Sequence, residues 1–152
     1  MQAIASEEAP SGLRKQAHSS GTISLAYPIG WKADQETGGI SDDVNVITLT
    51  VESGKGNPAC ILVDNPDEPY SSRIADFEAS DQVVEKDEFT FNGKAAMRFK
   101  RIQKTATGAN INTYIDYFFD GDGRQSYQFT CLLVPEIDEA TVDTLVHYLQ
   151  LK

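Results

Sequence analysis

The segment at residues 89–99, FTFNGKAAMRF, constrains the fold more than any other part of the chain. Asn92-Gly93 is the preferred pair for a two-residue type I′ turn, because both central positions need a positive φ. Apolar and polar residues alternate on both sides, so the segment predicts a β-hairpin. The turn also sets the register. The expected cross-strand pairs are Phe91 with Lys94, Phe89 with Ala96, Asp87 with Arg98, Glu85 with Lys100, and Val83 with Ile102.

Further strands are predicted at residues 21–28, 44–51 and 59–63, where β-branched and apolar residues run between Pro- and Gly-containing breaks. Pro28, Gly30 and Trp31 are expected to end the first of them. A second hairpin is predicted from residues 111–119 and 125–134, with its turn at 120–123. Both of its strands carry large apolar groups on both faces, which is typical of a sheet covered on both sides.

Two helices are predicted. Tyr70, Ile74 and Phe77 lie on one face of a helix that begins near Pro69, with Asp67 or Glu68 near its cap. The apolar positions of a C-terminal helix are Val142, Leu145, Val146 and Leu149. Short turns between neighbouring strands mean antiparallel pairing. The predicted fold class is therefore α+β, an antiparallel sheet of about six to eight strands sandwiched between helices (α/β/α).

Residues 1–20 are polar and rich in Ser, Ala and Glu, and they predict a flexible leader before a single domain at 21–152. The leader has no hydrophobic signal core. Two alternatives remain open. The chain is cytoplasmic with a loose tail, or a signal segment or lipid anchor stood upstream of Met1 and the domain is extracytoplasmic, which we favour.

The charge excludes two classes of partner. Thirteen Lys and Arg oppose 23 Asp and Glu, a net charge of −10. A chain this acidic has no excess of cations with which to track nucleic acid or settle on an anionic membrane. No run of apolar residues is long enough to span a bilayer, so we expect no direct insertion.

Cys60 and Cys131 are the only cysteines, and each lies in an apolar run. They are either two buried thiols or a disulfide, and we favour the thiols. Two cysteines at this separation are not a zinc framework.

The basic segment from Lys94 to Lys104 places five cations in eleven residues with no acid between them. One hypothesis is a binding site for an anion or an acidic partner, formed by Arg98, Lys100, Arg101 and Lys104. The simpler one is cross-strand pairing of Arg98 with Asp87 and of Lys100 with Glu85. Arg101 and Lys104 are the residues that this pairing leaves least explained.

The turn Asp120-Gly-Asp-Gly resembles the start of a calcium loop, but the twelfth position is Cys131 and not the Glu of an EF-hand. A hairpin turn is favoured, and a weak divalent cation held by Asp120 and Asp122 is the alternative. A second acidic loop around Asp64 and Asp67 is interpreted as a solvated loop with a helix cap. No other cofactor is predicted.

Trp31 is the only tryptophan. It either packs on the core or its rim, or it anchors a ligand or partner in a cleft. Nucleophilic catalysis would have to use His147, which is more simply a residue on the helix surface. The sequence therefore predicts no enzyme.

The opening strand and its exit, residues 23–32, together with the Asn92–Ala96 turn, resemble the PsbP-like family. So do the aromatic strand, Gly-rich turn, strand and short helix that close the chain. The resemblance covers 21–152. This family includes the extrinsic lumenal protein of photosystem II and bacterial secreted or lipid-anchored proteins, among them DcrB-like ones. It implies an α/β/α sandwich and no shared catalytic residues.

The resemblance and the absence of a catalytic set predict a non-enzymatic extracytoplasmic protein that binds another protein as an assembly or accessory factor. The alternative is a small-ligand or cation-binding module.

Overall fold

The structure, a computed structural model, describes residues 2–37, 44–51 and 58–152. The first strands are β1 (Gln2–Ile4), β2 (Leu13–Ala17), β3 (Ile23–Pro28), β4 (Trp31–Thr37), β5 (Asn45–Val51) and β6 (Pro58–Asn65). Helix α1 (Tyr70–Glu78) is followed by β7 (Val83–Phe91), β8 (Lys94–Lys104), β9 (Asn110–Gly121) and β10 (Gln125–Leu132). Helix α2 (Glu139–Val146) and β11 (Gln150–Leu151) come last.

The strands form two sheets. Eight strands lie in the order β1-β7-β8-β9-β10-β6-β5-β4, and three lie in the order β11-β3-β2. Strand β1 pairs parallel to β7, whereas the other pairings between these strands are antiparallel. One large sheet with two helices fits the predicted α+β class, but strands predominate and the large sheet is mixed and not purely antiparallel.

The predicted hairpin is present as β7 and β8. Asn92 and Gly93 have φ of 51° and 80°, as a type I′ turn requires. The pairs from Phe91–Lys94 to Glu85–Lys100 are confirmed. The last expected pair, Val83 with Ile102, is wrong, because an irregularity between Val83 and Glu85 places Val83 opposite Arg101.

The large sheet buries both of its faces. Strand β9 alternates between them: Ile115, Tyr117 and Phe119 belong to the larger apolar cluster, and Phe118 belongs to the smaller one. Residues of α2 and β3 complete the larger cluster, whereas Ile74 of α1 completes the smaller. The helices therefore lie on opposite faces, but the larger cluster is also covered by the small sheet and not by a helix alone.

Strands also form where none was expected. The expectation that the first strand begins after a leader at residues 1–20 is wrong: β1 extends the large sheet and β2 pairs with β3. Pro28 and Gly30 do end β3, but Trp31 begins another strand, β4, and does not start a loop. These short or polar strands depend on partners distant in sequence, which local patterns do not reveal.

The helices begin differently. Pro69 stands at the N-cap of α1 without a side-chain capping bond, and no acidic residue occupies the first turn. In α2 the carboxylate of Asp138 accepts a hydrogen bond from the Thr141 N–H at 2.8 Å. The predicted inner faces are confirmed at Ile74 of α1 and at Val142, Leu145 and Val146 of α2, which are buried. Leu149 is buried too, but it lies beyond the end of α2.

Cys60 and Cys131 form a disulfide between directly paired residues of β6 and β10, with 4.1 Å between their Cα atoms. The favoured alternative of free thiols is therefore wrong. Both side chains are buried, so the bond lies within the core of the large sheet. No helix in the described ranges is long and apolar enough to cross a membrane.

Candidate functional site

The basic segment is divided between the two faces of the sheet. Arg98 and Lys100 share a face with Ala96, which belongs to the larger cluster. Arg101 lies on the opposite face with Phe99 of the smaller cluster. The five cations therefore do not form one continuous surface.

Arg98 is the centre of a polar network under α2. Its guanidinium donates from Nε to Asp143 at 3.0 Å and from Nη2 to Glu139 at 2.9 Å. The Tyr117 hydroxyl donates to the same oxygen of Asp143. Asp87 lies 3.8 Å from Nη1, and the Arg98 side chain is only 13% exposed. Each nitrogen of this guanidinium already has a carboxylate partner.

Lys100 extends the same network. Its Nζ lies 3.1 Å from Glu139 and 3.3 Å from Glu85. Hydrogen bonds from Arg98 and Lys100 hold the pKa of Glu139 below its usual value. Burial, and then the hydrogen bond to Asp143, raises the pKa of Tyr117 well above its usual value. At neutral pH Glu139 is therefore ionised and the Tyr117 hydroxyl is protonated.

A cavity of about 610 Å³ opens beside this network. It lies among β1, β7 and the end of α2, and its lining includes Gln2, Ile4, Phe89, Asp143 and His147. Among the described residues that line it, no Ser, Thr, Cys or Lys is available for His147 to activate. The cavity can hold a ligand through carboxylates and aromatic rings, but it does not contain a pair of nucleophile and base.

Arg101 forms an ion pair with the buried carboxylate of Asp116. Its Nε and Nη2 bond to the two oxygens of Asp116 at 2.7 and 3.2 Å, and Asp116 is fully buried. Thr130 donates a further hydrogen bond to Asp116 at 2.7 Å, and the Tyr114 ring lies 4.5 Å from the guanidinium carbon. This bidentate pair satisfies the Asp116 charge inside the fold. It accounts for the cation that strand pairing had left unexplained.

The other two cations lie at the ends of β8. Lys94 pairs with Asp122 at 2.6 Å. Lys104 is exposed and forms no ion pair with the residues that the structure describes. Of the cations in the proposed anion site, Lys104 is thus the one that remains available to a partner.

The acidic turn uses its carboxylates within the hairpin. Asp120 accepts a hydrogen bond from the Gly123 N–H at 3.1 Å, and Asp122 holds Lys94. Within the described ranges no three His, Cys, Asp or Glu side chains are grouped as a metal site would need. Asp64, predicted in a solvated loop, is instead buried and accepts hydrogen bonds from Asn45 and Gln125, each at 3.3 Å.

Trp31 is half-buried, and it both packs against the larger cluster and lines an open groove of about 560 Å³. Arg14 and Lys32 stand on the groove walls, and Ile29 beside them is 67% exposed. The two hypotheses for Trp31 are therefore not exclusive. Its ring is anchored in the core while one side remains accessible.

Sequence reasoning predicted Asp87 as a partner of Arg98 but missed the two carboxylates of α2 that also bind it. Glu139 and Asp143 stand four residues apart on α2, so they share one face of that helix. This spacing was a usable signal for a site that attracts cations. No sequence signal marked Tyr117 as part of a polar site, because its strand is apolar on both faces.

Comparison with known proteins finds no matching family model and no matching curated protein. Among solved structures, the cyanobacterial PsbP from Synechocystis is similar at a TM-score of 0.62 and 8% identity, with 95% of each chain covered. A protein from Bacteroides thetaiotaomicron is similar at a TM-score of 0.50 and 10% identity. The match covers 93% of this chain but 49% of the Bacteroides chain, so this chain spans about half of it.

At these identities the likeness concerns the fold alone. The Synechocystis match runs over 95% of both chains. The chain has the PsbP-like fold.

Proposed function

We propose that this chain is a non-enzymatic extracytoplasmic accessory factor that binds another protein through the groove beside Trp31. The observation that carries the proposal is the pairing of a half-buried tryptophan with the exposed Ile29 at the rim of that groove. A tryptophan anchored on one side offers a rigid apolar contact at little cost in entropy, which is typical of residues that dominate protein interfaces.

The position of the groove supports a protein ligand. Strand β4 is an edge of the large sheet, and Trp31 and Lys32 are its first residues. Arg14 and Lys32 flank the apolar surface, so a partner with carboxylates around an apolar side chain would complement it. The remaining cation, Lys104, would belong to a separate contact.

The disulfide supports the extracytoplasmic part of the proposal. Disulfides persist in secreted and periplasmic proteins and are rare in the reducing cytosol. The bond between Cys60 and Cys131 joins two central strands of the core. A signal segment or lipid anchor upstream of Met1 belongs to this proposal.

The Arg98 network supports the absence of catalysis. Its cations and carboxylates are engaged with one another, and the tyrosine hydroxyl donates to Asp143. A catalytic acid or base would need a group left poised for the substrate. In this network the polar groups instead form hydrogen bonds that hold α2 against the sheet.

The test is affinity capture from native envelope fractions with the wild type and with Trp31→Ala. We expect the wild type to recover one reproducible partner, and Trp31→Ala to lose it while remaining folded at the temperature of the capture experiment. Ile111→Ser is the matched control, because Ile111 is also exposed (54%) but lies on β9. Equal capture by the wild type and Trp31→Ala, or no reproducible partner, would contradict the proposal.

A second candidate is a small-ligand module, favoured by the 610 Å³ cavity beside Arg98. A thermal-shift screen of metabolites on the wild type and on His147→Ala would test it. A ligand that raises the melting temperature of the wild type but not of His147→Ala favours this function, and a flat screen counts against it.

A further inference from the structure

A second groove lies on the opposite face of the sheet, between α1 and the β7–β8 hairpin. Helix α1 packs over β9 and β10, and this position leaves the neighbouring surface of β8 and β7 only partly covered. The opening has a volume of about 530 Å³, within the range of small-ligand sites. Its lining residues are Tyr70, Ser71, Ile74, Ala75, Glu78, Glu88, Phe89, Thr90, Ala95, Ala96 and Met97.

The floor of the groove is apolar. Ile74 and Met97 are buried in the smaller cluster, with 8% and 3% of their surfaces exposed. Ala75 of the helix and Ala95 of β8 carry only methyl groups, which do not fill the space between the helix and the hairpin. The apolar part of a ligand could therefore be buried in this space without displacing a side chain.

The charges on the lining are of one sign. Glu78 and Glu88 line the groove, and no Lys, Arg or His of the described chain does so. Glu78 has a partner, since Lys86 Nζ lies 3.6 Å away. Glu88 forms no ion pair or hydrogen bond with the residues that the structure describes. Its carboxylate is thus available to a ligand.

Tyr70 also lines the groove. Burial, and then the charges of Glu88, Asp120 and Glu78, raises its pKa to about 12. The phenol is therefore neutral at physiological pH, and its oxygen can accept a hydrogen bond from an ammonium or guanidinium donor. An anionic ligand at this position would face carboxylates and no counter-ion.

We propose that this groove binds a small organic cation, with its apolar body over Met97 and Ala95 and its ammonium or guanidinium group beside Glu88. The site is independent of protein binding at Trp31, because β4 and β7 lie towards opposite edges of the large sheet. Each of the two proposals can fail without the other.

The test uses hexylammonium as the probe and follows backbone amide signals of the full ¹⁵N-labelled chain by NMR. We expect saturable shifts at Ile74, Ala95 and Met97. Hexanol should bind more weakly and hexanoate more weakly still, because the body is the same and only the head group differs. Raising the salt concentration should weaken hexylammonium and leave hexanol nearly unchanged.

Three variants locate the site. Glu88→Gln removes the available carboxylate and should weaken hexylammonium by up to roughly fivefold, while leaving hexanol unaffected. Asp87→Asn is the matched control, since the neighbouring position faces the other side of the strand and should leave binding unchanged. Ala95→Leu should fill the groove and weaken both ligands by about tenfold or more.

Several results would overturn the proposal. One is equal binding of hexanoate and hexylammonium, and another is binding that Ala95→Leu does not weaken. A third is a response to a leucyl-lysine amide without any response to hexylammonium, which would make the occupant a segment of a protein. An unfolded Ala95→Leu variant leaves the comparison of Glu88→Gln with Asp87→Asn to decide.

Discussion

Asp143 of α2 accepts a hydrogen bond from Nε of Arg98 at 3.0 Å, and this contact joins the last helix to strand β8 of the large sheet. The Tyr117 hydroxyl of β9 donates to the same oxygen of Asp143. One carboxylate thus holds a cation and a phenol from two neighbouring strands. The helix is fixed to the sheet by charge as well as by its apolar face.

Replacing Arg98 by methionine should therefore destabilise the fold. Methionine keeps an apolar stem but leaves Asp143 without its cation, whereas Glu139 loses one of its two cations and keeps Lys100. We expect a loss of about 1–3 kcal/mol, because hydrogen bonds to charged groups contribute this much and the carboxylates can partly rehydrate. Urea unfolding measures it. Lys104→Met is the control, with an expected change within about 0.5 kcal/mol. Equal unfolding midpoints for the two variants would contradict the prediction.

The same network predicts how stability depends on pH. Hydrogen bonds from Arg98 and Lys100 lower the pKa of Glu139 in the folded state. A carboxyl group with a lowered pKa contributes stability above its unfolded value, near 4.3, and loses it as the pH falls further. Glu139→Gln should therefore be less stable than the wild type at pH 7, by under about 1 kcal/mol because the side chain is partly exposed. The difference should begin to shrink as the pH falls below the unfolded value and should decrease further at lower pH.

Urea unfolding of both proteins at pH 3, 5 and 7 checks this prediction. The control is Glu139→Gln in the Arg98→Met background, where part of the partner charge is already gone and the difference at pH 7 should be smaller. A difference that persists unchanged down to pH 3 would contradict the assignment to Glu139.

The parts of the fold that could be predicted from sequence are those encoded locally. Asn92-Gly93 specifies its own turn, and the register from that turn places Asp87 opposite Arg98. The predicted register is wrong at Val83, because no residue in the sequence signals the irregularity between Val83 and Glu85. Strand β1 was missed for a related reason. Its three residues form a strand only because they pair with β7 at the edge of the large sheet.

The candidate site could be predicted only in part. The cations of the basic segment are visible in sequence, and the partners Glu85 and Asp87 on β7 follow from the hairpin register. Asp116 and Asp143 do not follow, because the contacts to Arg101 and Arg98 depend on how β9 and α2 pack against β8. Of the two hypotheses for the basic segment, an anion site and pairing with carboxylates, the structure shows pairing for four of the five cations.

Removing the disulfide should cost several kcal/mol. Cys60 and Cys131 are 71 residues apart in sequence, so the bond closes a long loop in the unfolded chain. The chain-entropy relation gives about 4 kcal/mol for such a loop. We expect Cys60→Ala/Cys131→Ala to unfold at clearly lower urea concentration than the oxidised wild type.

Alkylation followed by mass spectrometry should find no free thiol in the native protein, because both side chains are buried and bonded. Two alkylated cysteines without reductant would refute this assignment.

Calcium binding at the Asp120 turn can be tested through Lys94. Its Nζ lies 2.6 Å from Asp122, so a divalent cation would have to displace it. Lys94→Ala removes this competitor and leaves both carboxylates in place. If Asp120 and Asp122 form a weak cation site, calcium should raise the melting temperature of Lys94→Ala by more than that of the wild type. The control is Lys94→Ala/Asp122→Ala, which should not respond. Melting curves that calcium leaves unchanged in all three proteins would show that the turn is only a turn, with Asp120 occupied by the Gly123 N–H.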